Sequence, residues 1–177
     1  SLSVDLLTIA GHKLYAPKGA GALYVRAGTV LAPYIRGAGH EMGRRAGTES
    51  AMLTAALGQA CVLAEDLAPM REVKRLRDQF HSGIQDLFGS AVTLNGHPEH
   101  CLPNTLNVSF KGKIGTDILA AMEEVAASTG SACHAGRIEL SPVLEAMGVS
   151  PDLGGGAVRF SLGRDTSQGG IDAALTA

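Results

Sequence analysis

Two side chains in this sequence could act as nucleophiles, the amine of Lys13 and the thiol of Cys133. Lys13 follows residues 4–9, a nearly unbroken apolar run that predicts a buried strand ended by Gly11. Burial at the tip of a strand would disfavour the charged ammonium and leave a lone pair for attack on an aldehyde. The alternative is an ordinary solvated loop lysine, which this segment alone leaves open.

Cys133 lies among small and flexible residues that extend from 127 to 136. A thiol on a mobile loop can reach a buried substrate and leave again carrying a group. The adjacent His134 and the nearby Arg137 would favour the thiolate, which is the nucleophilic form of the side chain. The alternative is an incidental loop cysteine without a chemical role.

Two further residues could bind anions. Arg159 lies between apolar neighbours in the predicted strand 157–162, and a half-buried guanidinium needs an anion such as a carboxylate. Thr48 is predicted to cap a helix over residues 50–66, directly after the glycine- and arginine-rich loop 26–47. Free N–H groups at such a helix end suit a phosphate, although on local evidence an ordinary helix cap is the better explanation of Thr48.

The elements that must position these residues fall into two parts. A strand at 23–25 is expected to pair with the lysine strand, and the Ala-rich helix 50–66 is expected to be buried against a sheet. Near residue 67 the pattern changes to an amphipathic helix that ends at Gly89. The sequence therefore predicts a domain boundary that separates residues 1–67 from residues 68–177.

The second part alternates predicted strands and helices. Strands are expected at 91–94, 105–110, 125–127 and 157–162, and helices are expected to begin at Thr116 and Pro142. In the strand 105–110, Leu106, Val108 and Phe110 are expected to face inward and Asn107 and Ser109 outward. The pattern predicts an α/β protein whose second part is a small α+β domain, an antiparallel or mixed sheet with helices on one face.

Composition limits the classes of partner. The 177 residues carry a net charge of −2 and no basic run longer than the pair Arg44 and Arg45, so we expect neither a nucleic-acid nor a membrane-binding surface. A small anionic metabolite is the expected partner instead. Three scattered cysteines and the lack of a long apolar run predict a cytoplasmic protein without a membrane span.

Residues 97–101 bring two histidines and a cysteine close together, which raises the question of a metal site. No second pair of ligands follows at the spacing that a zinc site requires. The sequence therefore favours a polar turn here, and no metal is expected in this protein.

Five blocks of sequence together resemble the cysteine desulfurase family of pyridoxal phosphate (PLP) enzymes, within the class V aminotransferase superfamily. The matching blocks are residues 10–19, 37–48, 103–110, 131–133 and 158–164. Their order and spacing extend over the whole chain and identify it with the C-terminal half of the family's fold type I PLP-dependent transferase fold. The resemblance implies that residues 1–67 are a remnant of the large PLP-binding domain and residues 68–177 the small C-terminal domain.

The resemblance also implies a role for each candidate residue. Lys13 would carry PLP through an imine, and His12 and Thr48 would contact the cofactor phosphate. Arg159 would hold the carboxylate of L-cysteine, and Cys133 would take its sulfur as a persulfide and leave L-alanine. In the family the threonine serves the cofactor of the partner subunit, which implies a homodimer.

The persulfide sulfur would pass to an acceptor protein, such as an iron–sulfur scaffold, or into a thio-cofactor. A selenocysteine lyase, another class V aminotransferase and a non-catalytic scaffold domain are the alternatives. The family's phosphate-binding loop, ring-stacking histidine and ring-nitrogen aspartate all lie upstream of the lysine strand. Ala10 also stands where the family often has serine. The 177 residues alone are therefore expected to be inactive.

Overall fold

The computed structural model describes residues 2–129 and 140–177 and, between them, the backbone of two short strands. The chain forms two compact units, Ser1–Leu67 (the first unit) and Ala68–Ala177 (the second unit). The first unit contains β1 (Leu6–Ala10), β2 (Gly21–Val25) and α1 (Ala51–Ala64). The second unit contains α2 (Ala68–Phe88), β3 (Val92–Leu94), β4 (Thr105–Phe110), α3 (Gly115–Ala121), β5 (Cys133–His134), β6 (Arg137–Ile138), α4 (Pro142–Ala146), α5 (Pro151–Gly154), β7 (Ala157–Ser161) and α6 (Gln168–Thr176).

In the first unit, β1 and β2 form an antiparallel hairpin, as the two apolar runs predicted. β1 ends at Gly11, whose N–H donates to the carbonyl oxygen of Ala20 at 3.0 Å. A Cβ at Gly11 would lie 2.7 Å from that oxygen, so only glycine allows the two backbones to approach this closely. The chain then makes a 3₁₀ turn over Gly11–Leu14. Lys13 lies in this turn at the end of the strand.

Two expectations for α1 are wrong. Its N-cap is Ser50, whose Oγ accepts a hydrogen bond from the N–H of Leu53 at 3.4 Å, and Thr48 lies outside the helix. Serine and threonine cap helices for the same reason, so the residue adjacent to the first helical turn takes the position. Most of α1 is also exposed rather than buried, and only Leu57 and Ala60 are buried.

The amphipathic pattern of α2 is confirmed. Its apolar stripe is buried in the core of the second unit at Val73, Leu76, Phe80 and Ile84. Leu87, which continues the same spacing of three to four residues, is exposed. The helix therefore buries one face for almost its whole length, and its charged residues stay in solvent apart from the buried Arg77.

The sheet of the second unit has the strand order β3–β4–β7, and both strand pairs are antiparallel. β4 is therefore the central strand, with Val108 of β4 opposite Leu94 of β3 and Val158 of β7. The apolar face of these strands contributes to the core on which α2 packs. Ser109 was expected to face solvent, but it is fully buried on the opposite face.

Two predicted features of the second unit differ in the structure. The predicted strand at residues 125–127 is absent, and Ser128 forms a single antiparallel bridge with Arg159 instead. α3 begins at Gly115, one residue before its expected start at Thr116, and its N-cap Ile114 provides no side-chain cap. Within residues 2–129 and 140–177 no single helix is long and apolar enough to cross a membrane, and α1 and α2 meet that requirement only when joined.

Candidate functional site

Lys13 lies where the sequence placed it, directly after β1, but its side chain is exposed and not buried. The neighbouring Gly11 and Ala16 are buried, so the turn itself is packed while the amine points into solvent. The expectation of a desolvated lysine is therefore wrong for this chain. The backbone position is nevertheless well defined, because the N–H of Ala16 closes the turn on the carbonyl of Gly11 at 3.1 Å.

His12 and Thr48 belong to the same unit as Lys13, and both side chains are exposed. His12 neighbours the lysine in the 3₁₀ turn. No hydrogen bond or ion pair among the described residues joins Thr48 to either of them. The first unit thus presents a lysine and a histidine on one turn and the threonine at the end of a separate loop.

The loop before Thr48 has a defined conformation that sequence reasoning missed. Nδ1 of His40 accepts a hydrogen bond from the N–H of Gly47 at 3.3 Å. Glu41 and Met42 adopt left-handed backbone conformations, with φ of 52° and 55°, which non-glycine residues rarely do. Such strain is found mainly at functional positions. The glycine- and arginine-rich composition of the loop gave no sign of the part that His40 plays.

Arg159 lies in β7 of the second unit, and its side chain is exposed although it was expected to be half-buried. Its neighbours Val158 and Phe160 point into the core, so the alternation of the strand places the guanidinium on the opposite face. No ion pair joins Arg159 to another described residue. The charged group is therefore accessible to an anion from solution.

Backbone hydrogen bonds join Arg159 to the segment that leads to Cys133. The N–H of Arg159 donates to the carbonyl of Ser128 at 2.6 Å, and the N–H of Ser128 donates back at 3.1 Å. Cys133 follows five residues later, so its backbone stays within about 18 Å of Ser128. β5, which contains Cys133, pairs with β6, while the expected surroundings of the thiol, including His134 and Arg137, lie outside the described side chains.

Beside Arg159 the sheet carries a small polar network. Nδ2 of Asn95 donates to Oδ1 of Asn107 and to Oγ of Ser109, both at 2.7 Å. Asn107 of β4 is directly opposite Arg159 of β7. The alternation of β4 placed Asn107 and Ser109 on one face, but neither partner could be found without the register between strands.

Residues 97–101 form a polar turn, as expected. Nδ1 of His97 accepts hydrogen bonds from the N–H groups of Glu99 and His100 at 3.0 and 2.9 Å. The imidazole thus satisfies the turn backbone and is not free to bind a metal through Nδ1. Among residues 2–129 and 140–177 there is no group of three or more histidine, cysteine or acidic side chains placed to hold a metal ion.

The same turn holds Cys101 against a buried arginine. Nη1 of Arg77 donates to Sγ of Cys101 at 2.6 Å and to the carbonyl of Leu102 at 3.0 Å. Burial lowers the pKa of Arg77, but hydrogen bonds with Asp78 and Cys101 outweigh it, so the net pKa is raised. The charge of Arg77 is therefore permanent, and Arg77 anchors the turn at residues 97–102 to α2.

Three comparisons place these residues among known proteins. The family model described as aminotransferase class-V matches residues 1–174. "Cysteine desulfurase 2" of Trichormus variabilis is 44% identical over 176 residues, which are 98% of this chain and 44% of that protein. "Cysteine desulfurase IscS" of Acinetobacter baumannii is 40% identical over 180 residues, again 44% of its length.

Solved structures give a similar result. A structure titled "NIFS-LIKE PROTEIN" has a TM-score of 0.82 and 29% identity, and the match covers 98% of this chain and 45% of that one. "SspA in complex with cysteine" has a TM-score of 0.66 and 32% identity, over 90% of this chain and 44% of the other. The chain thus spans less than half the length of these relatives. Because the family model covers nearly every residue, the chain belongs to the class-V aminotransferase family, whose members depend on PLP.

Proposed function

We propose that this chain is the part of a PLP-dependent cysteine desulfurase that anchors the cofactor, binds the substrate carboxylate and accepts the sulfur. The observation that carries the proposal lies within the second unit. Arg159 and the segment leading to Cys133 are joined there by two backbone hydrogen bonds. The strand that carries the proposed anion-binding Arg159 is thereby joined, at the edge of the sheet, to the backbone segment that leads to Cys133. The 40–44% identity to proteins named cysteine desulfurase supports the same reaction.

The first unit has side chains that fit the cofactor. The amine of Lys13 is exposed and has no ion pair among the described residues, so it is open to a covalent bond with the PLP aldehyde. The exposed His12 and Thr48 would contact the phosphate. When bound, PLP supplies an electron sink for the α-carbon of an amino acid. Lys13, once released from its bond, would carry the α-proton.

In the second unit, Arg159 would bind the carboxylate of L-cysteine. Its guanidinium offers a planar fork of donors that matches the two carboxylate oxygens. This holds the substrate in one orientation, with its side chain toward the incoming thiol. Because the guanidinium is exposed and without an ion pair among the described residues, binding does not have to break an existing ion pair.

Cys133 would act as the nucleophile toward the sulfur of the substrate. The thiolate forms a sulfur–sulfur bond while the bond between Cβ and sulfur in the substrate breaks. The electron pair of that bond stays with the substrate carbon, which takes up protons, so the products are L-alanine and a Cys133 persulfide. A second thiol, on a sulfur-acceptor or iron–sulfur scaffold protein, would then remove the outer sulfur atom.

The proposal includes a homodimer in the cytoplasm. Thr48 lies at the end of a strained loop with its side chain exposed, as a contact to the cofactor of a partner subunit would require. Reducing conditions in the cytoplasm would keep Cys133 available as a thiol between turnovers.

The test uses the full-length enzyme that carries this chain and measures sulfide release from L-cysteine in the presence of reductant. Cys133→Ser is expected to abolish release, while Cys61→Ser and Cys101→Ser are expected to retain it. Lys13→Ala is expected to remove the visible absorbance of the lysine-bound cofactor. Release at the wild-type rate by Cys133→Ser, or an unchanged absorbance band in Lys13→Ala, would refute the respective assignment. Turnover confined to selenocysteine would assign the chain to a selenocysteine lyase instead.

A further inference from the structure

Asn107 and Arg159 form a cross-strand pair on the face of the sheet opposite the apolar core, which we call the polar face. They are directly opposite in the register of β4 and β7. Opposite residues of an antiparallel pair project from the same face, with Cβ atoms about 4.5–5.5 Å apart. The two side chains therefore start from neighbouring points on one face, and a ligand that lies between them can contact both the guanidinium of Arg159 and the amide of Asn107.

The amide of Asn107 has a fixed orientation. Its Oδ1 accepts a hydrogen bond from Nδ2 of Asn95 at 2.7 Å, and Asn95 is itself held by Oγ of the fully buried Ser109. Asn95 is also joined to Asn107 through the backbone, its N–H donating to the Asn107 carbonyl at 2.9 Å. With Oδ1 turned toward Asn95, the Nδ2 group of Asn107 points away from it.

That Nδ2 group is an available donor. It has no hydrogen-bond partner among the described residues. Among the described residues, Nε2 of His81 is the one side-chain nitrogen or oxygen that is buried and has no hydrogen-bond partner. Because Nδ2 of Asn107 also has no partner, it is not buried and solvent reaches it. The polar face thus presents two donors on neighbouring strands that have no partner among the described residues, a cationic guanidinium and a neutral amide. Two such donors complement the two oxygens of a carboxylate.

We propose that Asn107 is a second donor to the substrate carboxylate that Arg159 binds, and that Asn95 is a positioning residue that holds the Asn107 amide. This inference rests on the proposed function and adds a binding residue to the same site. It predicts that the site prefers a free carboxylate over an amide or an ester. One oxygen would be held by the guanidinium and the other by the Asn107 amide.

The first arm of the experiment measures KM and kcat for L-cysteine in the full-length enzyme. Asn107→Leu keeps the size of the side chain and removes the donor, so KM is expected to rise about tenfold with kcat changed by less than about twofold. Asn95→Ala is expected to raise KM by a smaller factor, because the donor remains but loses its orientation. Thr93→Val is the matched control, since Thr93 lies on the same face but on the strand that does not neighbour β7, and its KM is expected to stay unchanged.

The outcomes separate this inference from the proposed function. Arg159→Ala is expected to raise KM about a hundredfold, because it removes the charged donor. If Arg159→Ala has this effect and Asn107→Leu leaves KM unchanged, the inference is overturned while the function stands. If Arg159→Ala also leaves KM unchanged, the carboxylate site itself is misassigned and the inference fails with it.

The second arm needs neither turnover nor a substitution that could disturb folding. The side-chain amide signals of Asn107 are followed by NMR in the wild-type full-length enzyme while L-alanine is added, with L-alaninamide as the control that lacks the carboxylate. A shift with L-alanine alone supports the inference. Equal shifts with both compounds, or no shift with either, contradict it whatever the kinetic result.

Discussion

In the second unit, eleven described residues from α2, the sheet, the segment after β7 and α6 form one buried apolar cluster, whereas the corresponding cluster of the first unit contains three. Those three are Ala16, Leu57 and Ala60, of which two are alanines. The first unit therefore buries little apolar surface by itself, although its strands are as apolar as those of the second. Apolar composition predicts that a strand is buried somewhere, but it does not say by which part of a protein.

One strand from each unit illustrates this difference. In β4 of the second unit, Leu106 and Val108 are at most 2% exposed, whereas in β1 of the first unit the adjacent Leu6 and Leu7 are 44% and 38% exposed. Leu6 and Leu7 point to opposite faces of the hairpin, so neither of its faces is fully covered. A two-stranded hairpin without a covered face is marginally stable in water. The unit that carries Arg159 and Asn107 thus supports its own fold, and the unit that carries Lys13 needs a further surface.

The largest expected effect is the loss of stability when a leucine side chain is truncated, which should differ between the two units. Leu76→Ala in α2 removes a side chain that is 1% exposed, and it is expected to lower the free energy of unfolding by about 2–5 kcal/mol. Leu63→Ala in α1 removes one that is 57% exposed and should cost less than about 0.5 kcal/mol. Urea unfolding followed by circular dichroism measures both. Equal costs would show that the first unit is as well packed as the second.

The next prediction concerns the uncovered hairpin. The 177-residue chain is expected to associate through it and to release no sulfide from L-cysteine when alone. Leu7→Lys should weaken this association about tenfold, because it places a charge on the exposed face, while Val143→Lys on the exposed surface of α4 should not. Sedimentation at several concentrations measures the effect. A monomer that binds PLP tightly and turns over cysteine would show that these residues hold a complete site.

A smaller effect tests the corrected start of α1. Ser50→Ala removes the capping oxygen and is expected to lower the free energy of unfolding by about 1 kcal/mol. Thr48→Ala should leave stability nearly unchanged, because Thr48 is exposed and lies before the helix. In the full-length enzyme, Thr48→Ala should instead weaken PLP binding, which absorbance titration measures. A loss of stability in Thr48→Ala but not in Ser50→Ala would show that Thr48 caps the helix instead.

The smallest expected effect is a pH dependence within the second unit. Burial lowers the pKa of His81, and the positive charge of Arg77 lowers it further against the opposing effect of Asp78. Since the unfolded chain binds the proton more readily, the free energy of unfolding should fall as the pH drops below about 6.5 and be insensitive to this group above it. His81→Gln should remove this part of the pH dependence, so the free energies of unfolding of the wild type and the variant should differ in how they change with pH. Parallel curves for the two proteins would contradict the lowered pKa of His81.

The sequence predicted helices and strands best where the apolar residues follow one clear periodicity. The bounds of β4 and the buried stripe of α2 follow from spacings of two and of three to four residues, which depend only on local geometry. The cap of α1 failed because Thr48 and Ser50 are two residues apart and chemically alike. At residues 125–127 the apolar run was too short to separate a strand from a single bridge.

The candidate site was harder to predict, because burial and register arise from the whole fold. A lysine after a buried strand was expected to be desolvated, yet the exposure of Lys13 depends on what covers the turn, which no local pattern contains. The link between Ser128 and Arg159 joins residues far apart in sequence. The Asn95–Asn107 pair depends in the same way on how β3 and β4 align. The residue types identified the chemistry, while their partners required the three-dimensional structure.

The most direct test of the proposed function asks which thiol receives the sulfur. The chain offers three candidates, Cys61, Cys101 and Cys133. The full-length enzyme is mixed with one equivalent of L-cysteine, the thiols are blocked, and the peptides are mapped by mass spectrometry. The proposal predicts one additional sulfur atom on Cys133 and an equal amount of L-alanine. An additional sulfur on Cys61 or Cys101, or alanine formation without any persulfide, would contradict it.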